Sequence, residues 1–404
     1  MNNNKSYTFD EACNRCQFLA DTVFSEFSGI CDRENRFPTE SLDALKDSDL
    51  LSLLIPKDFG GWGLNFYQYQ KVLSIISQGC PSTAAAFNMH NIVIGSISNY
   101  DLSVLDPKTR KKLKIKLESI FTLVVFEKKV FAAATTEPGI GARFSQIETS
   151  YTKDGDFYII NGFKSFVTMA NYADFFLVLA NKNSDKKMSS YWLTYFIVPR
   201  LSNGVFINET WDVLGMRGTS SQEVFFKNVK LPKSAIFMGN EGFALSKVMR
   251  EPHWVTGGYL GVYLGILKSI FKFTCQYIVS KSDHVKKEGL AYLPLVQARI
   301  GEMYSMLRSA ELNLFDAAEQ VVNSPTSNIT HQALFSAKFY LGELMPKFAS
   351  MALRTCGGNC IHKKFPLERL LRDSHCGGLM PAVSDMCQIF LGKTSLDINE
   401  VNIW

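Results

Sequence analysis

The sequence predicts an α+β chain: an N-terminal helical domain, a middle antiparallel β domain and a C-terminal four-helix bundle. Three observations predict it. Apolar residues recur at helical spacing from Phe9 to about Ile120, alternate with a period of two from about Glu127 to Gly239, and resume helical spacing after Asn240-Glu241-Gly242. Runs of one element type, rather than strand–helix alternation, argue against a doubly wound sheet. At 404 residues the chain is long enough for two or three cores. The domains are therefore placed at 1–126, 127–239 and 240–404.

Residues 1–10 are polar and expected to fray. Phe18, Leu19, Val23 and Phe24, then Leu42, Leu45 and Leu50, carry the first helical stripe. Pro56 to Gly63, with three glycines around Trp62, breaks the pattern as a loop. A helix resumes over Tyr67 to Gln78, and Ser82-Thr83 is expected to cap the next. The lysine-rich run from Lys108 to Glu118 reads as a solvated helix face. In the middle region, Asp154-Gly155 and Asn161-Gly162 both tolerate positive φ, which predicts consecutive hairpins. Upstream, the apolar run Val130 to Ala134 empties into Thr135-Thr136-Glu137-Pro138-Gly139-Ile140-Gly141. Such a loop, rich in hydroxyls and free N–H groups, suits an anionic or carbonyl-rich ligand. Phe175 to Ala180, Tyr195 to Val198 and Val224 to Phe226 supply further strands. The last block is helical, interrupted near Asn323 to Asn328 and at Gly357-Gly358, and is long enough for a four-helix bundle.

Composition narrows the function. Hydrophobic residues make up 46% and charged residues 20%, the balance of a globular chain. No uninterrupted apolar run approaches the roughly 20 residues that span a bilayer. The N-terminal MNNNKSYTFDEAC has no apolar core of a signal peptide, so a cytoplasmic location is expected. Nine irregularly spaced cysteines fit reduced thiols, and Cys356 and Cys360 lack the second pair or histidine of a zinc site. The net charge of +5 is not gathered into a basic cluster with interleaved aromatics, which argues against nucleic acid. It suits phosphate-bearing partners, coenzyme A or an acidic carrier protein.

The segments TTEPGIG, NGFKSFVTMAN and WDVLGMRGTSS (Trp211 to Ser221) stand in this order. With them the chain resembles the acyl-CoA dehydrogenase family of flavoproteins, from Asn35-Arg36-Phe37-Pro38 to Glu368-Arg369-Leu370-Leu371-Arg372-Asp373. The resemblance implies FAD between the β domain and the bundle, part of its site coming from a neighbouring subunit in a homodimer or homotetramer. It implies that Thr136 and Thr168 hydrogen-bond the flavin ring, and that Phe166, where the family usually has Trp, stacks beside it. It places Gly141 in the diphosphate loop, Lys281 where an arginine reaches the neighbouring cofactor, and Gly357 and Gly358 near the adenine end. The family's serine after that loop is absent: Gly141-Ala142-Arg143 follows instead, and Arg143 could supply a charged contact.

The same resemblance implies a carboxylate that takes the α-proton of an acyl thioester. One large group of the family places it eight residues after the Arg-Asp pair, which here is Pro381 and cannot be a base. A smaller group, resembling isovaleryl-CoA dehydrogenase and oxidases of carrier-bound aminoacyl groups, places it before a Gly-Gly, which here gives Glu251. Pro252 interrupts the helix at that point, so His253 is the competing base. Pro381 also lacks the N–H that would donate to the thioester carbonyl; such a donor is worth about 2.7–4 kcal/mol in the transition state. The amide of Ala382 could replace it, and Val383 stands where the family has Thr. The implied activity is FAD-dependent oxidation of an acyl or aminoacyl thioester, bound to coenzyme A or a carrier protein. Electron-transfer flavoprotein or oxygen is the implied acceptor. A flavin monooxygenase of the same fold, which needs no carboxylate, and a catalytically silent binding subunit are the alternatives.

Overall fold

The computed structural model describes residues 7–98, 102–140, 143–182, 192–282 and 289–398. α1 (Phe9–Leu19) begins where the Thr8 side chain accepts the Glu11 N–H, and runs through one π turn into α2 (Ser25–Glu34). α3 (Thr39–Asp47) and α4 (Phe66–Gly79) follow; a reciprocal Asn65–Gln68 capping box starts α4. α5 (Pro81–Ser98) is buried on nearly every side. Ser82 and Thr83 do not cap it, contrary to the expectation, because the helix already begins at Pro81. The Cys80 thiol accepts the Thr83 N–H in their place. α6 (Pro107–Val125) buries Leu113, Leu117 and Ile120 and turns Lys108, Lys111, Lys112 and Lys114 outward, while the half-buried Lys116 donates to the Ser234 carbonyl.

The middle region forms one seven-stranded sheet of β1 (Phe131–Ala134), β2 (Ser150–Asp154), β3 (Phe157–Val167), β4 (Phe175–Lys182), β5 (Thr194–Pro199), β6 (Val205–Asn208) and β7 (Gln222–Pro232). Its pairings are mostly antiparallel, but β4 runs parallel to β1 and β2. Asp154-Gly155 closes the β2–β3 hairpin, with Gly155 at φ 56°. Asn161-Gly162 makes no turn. β3 continues through it against β7 with a register shift, and Gly162 (φ 155°) lets the backbone pass Thr149, whose Oγ1 would lie 2.4 Å from an added Cβ. Neighbouring β7 offers pairing partners past the dipeptide, and those ladder bonds outweigh a local turn preference.

α7 (Ala244–Arg250) is followed by a π turn over His253–Gly257 and by α8 (Leu260–Val279), α9 (Pro294–Asn323), α10 (Asn328–Cys356), α11 (Pro366–Ser374) and α12 (Ser384–Ser395). α8 is apolar along its length because it is the central helix of the bundle, with Leu264, Leu267 and Ile270 buried. One polar knot ties all three regions. Arg372 of α11 makes a two-pronged pair with Asp32 of α2 and also donates to the Leu214 carbonyl. The Met216 N–H donates to Asp373 at 2.6 Å, and Arg217 donates to the Asp32 carbonyl. Burial pushes the Asp373 carboxyl up to about 6.

Candidate active site

The TTEPGIG loop is held in place from inside. Glu137 is buried, accepts the N–H groups of Glu148 and Thr149, and pairs with the fully buried Lys164 ammonium at 2.6 Å. Burial pulls the Lys164 ammonium down to about 8 although the carboxylate beside it opposes the shift. The next residue back, Thr136, accepts the Ser165 N–H through its carbonyl at 2.9 Å. Thr136 is thus set beside the end of β3, close in sequence to Phe166 and Thr168.

That end of β3 is strained. Phe166 and Met169, and Met216 and Ser220 on the facing loop, all hold left-handed φ angles between 47° and 60°. Left-handed non-glycine residues cost about 1–3 kcal/mol each and concentrate at ligand sites. The Phe166 ring is 60% exposed and meets Trp211 edge-on at 5.9 Å. Behind it runs a buried hydroxyl row, Thr168–Ser221 at 2.8 Å and Ser221–Thr219 at 2.9 Å. The Ser165 hydroxyl is buried with no hydrogen-bond partner. A flat aromatic ligand with hydrogen-bonding edges, such as a flavin, fits an exposed ring, a hydroxyl row and an orphaned hydroxyl. Gly141 lies outside the described residues, and the Arg143 side chain is exposed.

Glu251 sits where α7 ends, since Pro252 cannot continue the helical hydrogen bonds. Its side chain is 14% exposed and pairs with Lys247 one turn earlier at 2.5 Å. It lines a small cavity of about 40 Å³ with Lys247, Trp254, Tyr195, Leu177 and Ile92. His253 turns elsewhere. Its ring lies buried between Phe66 and Trp254, Nδ1 has no partner, and burial pushes it down to about 3, so it is neutral. Thr136 and Thr168 are not on the wall of the Glu251 cavity. The hydroxyl row adjoins the start of α5, where a Cβ on Gly218 would meet Ser82; the cavity meets Ile92 and Ser96. At 1.5 Å rise per residue these points lie roughly 15 Å apart along α5.

The remaining predicted residues gather at the far end of the bundle. Lys281 is exposed, with its ammonium 5.3 Å from the Tyr277 ring, and the Cys360 thiol contacts Tyr277 and Cys356. Gly357 (φ 82°) and Gly358 have open space where a Cβ would stand. Lys281, Gly357 and Gly358 therefore form one group on the bundle, while Thr136, Phe166 and Thr168 form another on the sheet. The turn before Pro381 is pinned by Lys338, fully buried, which donates to the Gly377 and Met380 carbonyls at 3.1 and 3.0 Å. Lys247, Lys338, Ser221 and the Glu137–Lys164 pair were not singled out from sequence. Only Lys247 left a signal there, its four-residue spacing from Glu251.

Three family models match the chain: the acyl-CoA dehydrogenase N-terminal domain over residues 15–100, the middle domain over 132–229 and the C-terminal domain over 258–380. The chain is 24% identical to the human mitochondrial short-chain specific acyl-CoA dehydrogenase, over 93% of this chain and 87% of that protein. It is 26% identical to the caffeyl-CoA reductase-Etf complex subunit CarC of Acetobacterium woodii, covering 93% and 94%. Its fold matches the dibenzothiophene monooxygenase TdsC of Paenibacillus sp. A11-2 with a TM-score of 0.81 at 23% identity, covering 96% and 97%.

Proposed function

The chain belongs to the acyl-CoA dehydrogenase family, and on that premise we propose that it oxidises the α,β bond of an acyl or aminoacyl thioester. The family spacing names Glu251 as the base, although its cavity lies roughly 15 Å along α5 from the hydroxyl row. Bound FAD supplies the two-electron acceptor. Thr136, Phe166, Thr168 and Ser221 would hold the ring system, and Lys281, Gly357 and Gly358 the adenosine end of a neighbouring subunit's cofactor in a homo-oligomer. The observation that carries the proposal is the exposed Phe166 ring set against the Thr168–Ser221–Thr219 hydroxyl row and the unpartnered Ser165 hydroxyl. Glu251, 14% exposed, lines a separate cavity of about 40 Å³, well below the roughly 300 Å³ of a small-molecule site. General-base catalysis by a positioned carboxylate contributes about 10²–10⁴-fold. Lys247 pairs with the Glu251 carboxylate, and Trp254 lines the same cavity. The thioester is carried by coenzyme A or a carrier protein. The CarC relative is named for a complex with Etf, which supports electron-transfer flavoprotein as acceptor, with oxygen as the other candidate.

One observation favours a second reading, a flavin monooxygenase. Pro381 has no N–H to polarise a thioester carbonyl, and a monooxygenase needs none; TdsC, of the same fold, is such an enzyme. Anaerobic mixing of the holoenzyme with a panel of acyl and aminoacyl thioesters separates the two. Bleaching of the flavin that slows at least about 100-fold in Glu251→Gln supports dehydrogenation. Bleaching at an unchanged rate in that variant removes Glu251 from the mechanism. Turnover only with a flavin reductase and oxygen selects the monooxygenase.

A further inference from the structure

A groove of about 480 Å³ opens between α2, the end of α4, α8 and the start of α11. None of Thr136, Phe166, Thr168, Glu251, Lys281, Gly357 or Gly358 lines it. Its volume falls in the range of small-molecule sites.

Two guanidiniums converge in it. A Cβ added to Gly29 would lie 3.3 Å from Arg33 Nη1 and 3.8 Å from Arg369 Nη1. Neither arginine forms an ion pair among the described residues. Arg369 donates to the Ser28 hydroxyl, and its Nε is buried with no partner. Lys272, Lys363 and Lys364 stand on the other walls, exposed and likewise without an ion pair among the described residues. Of the three carboxylates lining it, Asp32 and Glu368 are both engaged by Arg372, and Glu26 has no ion pair among the described residues. α11 begins here at Pro366 with no side chain capping its first N–H groups.

Two cations held near one point repel each other unless an anion lies between them. Two arginines without an ion pair, one buried guanidinium donor and an uncapped helix start together match the way phosphoryl oxygens are bound. Ile30, Phe273 and Phe365 add an apolar surface beside the charges. We propose that this groove is a second ligand site, taking a phosphorylated small molecule whose phosphoryl oxygens lie between Arg33 and Arg369 and whose organic part packs on Ile30, Phe273 and Phe365.

The test is calorimetric titration of the FAD-loaded protein, its flavin site filled, with ADP and with inorganic pyrophosphate at low ionic strength. Saturable binding of both is expected, ADP the tighter. Arg33→Gln, at an exposed position, should weaken both by about tenfold or more while leaving the flavin spectrum and thermal midpoint unchanged. Lys272→Gln should weaken binding in the same direction. No saturable binding by about 10 mM ligand overturns the site, as does an affinity that neither substitution changes. Pyrophosphate binding as tightly as ADP overturns the packing of an organic part on the aromatic wall.

Discussion

The Lys164 ammonium and the Glu137 carboxylate meet at 2.6 Å with 0% and 4% of their side chains exposed, one on β3 and the other in the loop after β1. The pair is the internal brace of the loop that carries Thr136. Lys164→Met strands a buried carboxylate and should cost about 3–5 kcal/mol of stability, read by urea unfolding. Retention of full stability would show that the loop is held by the Glu148 and Thr149 amides alone.

His90 links α5 to β1. The Phe131 N–H donates to Nδ1 at 3.1 Å, so Nε2 carries the proton and donates to the Leu51 carbonyl at 2.9 Å. Burial pushes the ring down to about 4. The unfolded chain takes up a proton near pH 6.5 that the folded chain refuses, so this stability is complete above pH 6.5 and lost as pH falls toward 4. The loss from His90 should reach about 3 kcal/mol by pH 4. His253, pushed down to about 3, acts in the same direction. Denaturant melts between pH 7 and 4 should show this slope, reduced by one proton in His90→Gln.

Gly95 of α5 touches Trp254 so closely that an added Cβ would lie 2.1–2.5 Å from three atoms of its ring. Gly95→Ala must push the indole that walls the Glu251 cavity. The expected cost is about 1–3 kcal/mol, with slower substrate-dependent flavin reduction at unchanged flavin content. Thermal melts together with stopped-flow bleaching check both effects.

Lys247 pairs with Glu251, both side chains largely shielded, and on the proposed mechanism it is a positioning residue. Lys247→Met should slow flavin reduction by about 10–100-fold with FAD binding intact, and Lys247→Arg should restore most of it. Equal rates in Lys247→Met and the native protein would mean that the carboxylate needs no tether.

Much of the fold was legible because periodicity is local. The switch from helical spacing to alternation and back reports which face of each segment is apolar, and the Asp154-Gly155 hairpin needs only its own φ freedom. Asn161-Gly162 was misread as a turn because the same dipeptide also serves a bulge, and only the pairing of β3 with β7 distinguishes them. The predicted site residues were legible as a family pattern, but their grouping was not.

The order of helical, β and helical regions, the family and the break at Pro252 are written in neighbouring residues, so the sequence by itself determined them. Only the tertiary structure decided that Lys247 and Trp254 enclose Glu251, that His253 is neutral between aromatic rings, and that Thr168 backs onto Ser221. It alone brought Arg372 to Asp32, 340 residues away, and Arg33 beside Arg369. The physical reason is range: periodicity and turn chemistry act over a few residues, whereas burial and charge pairing depend on which distant segments pack together.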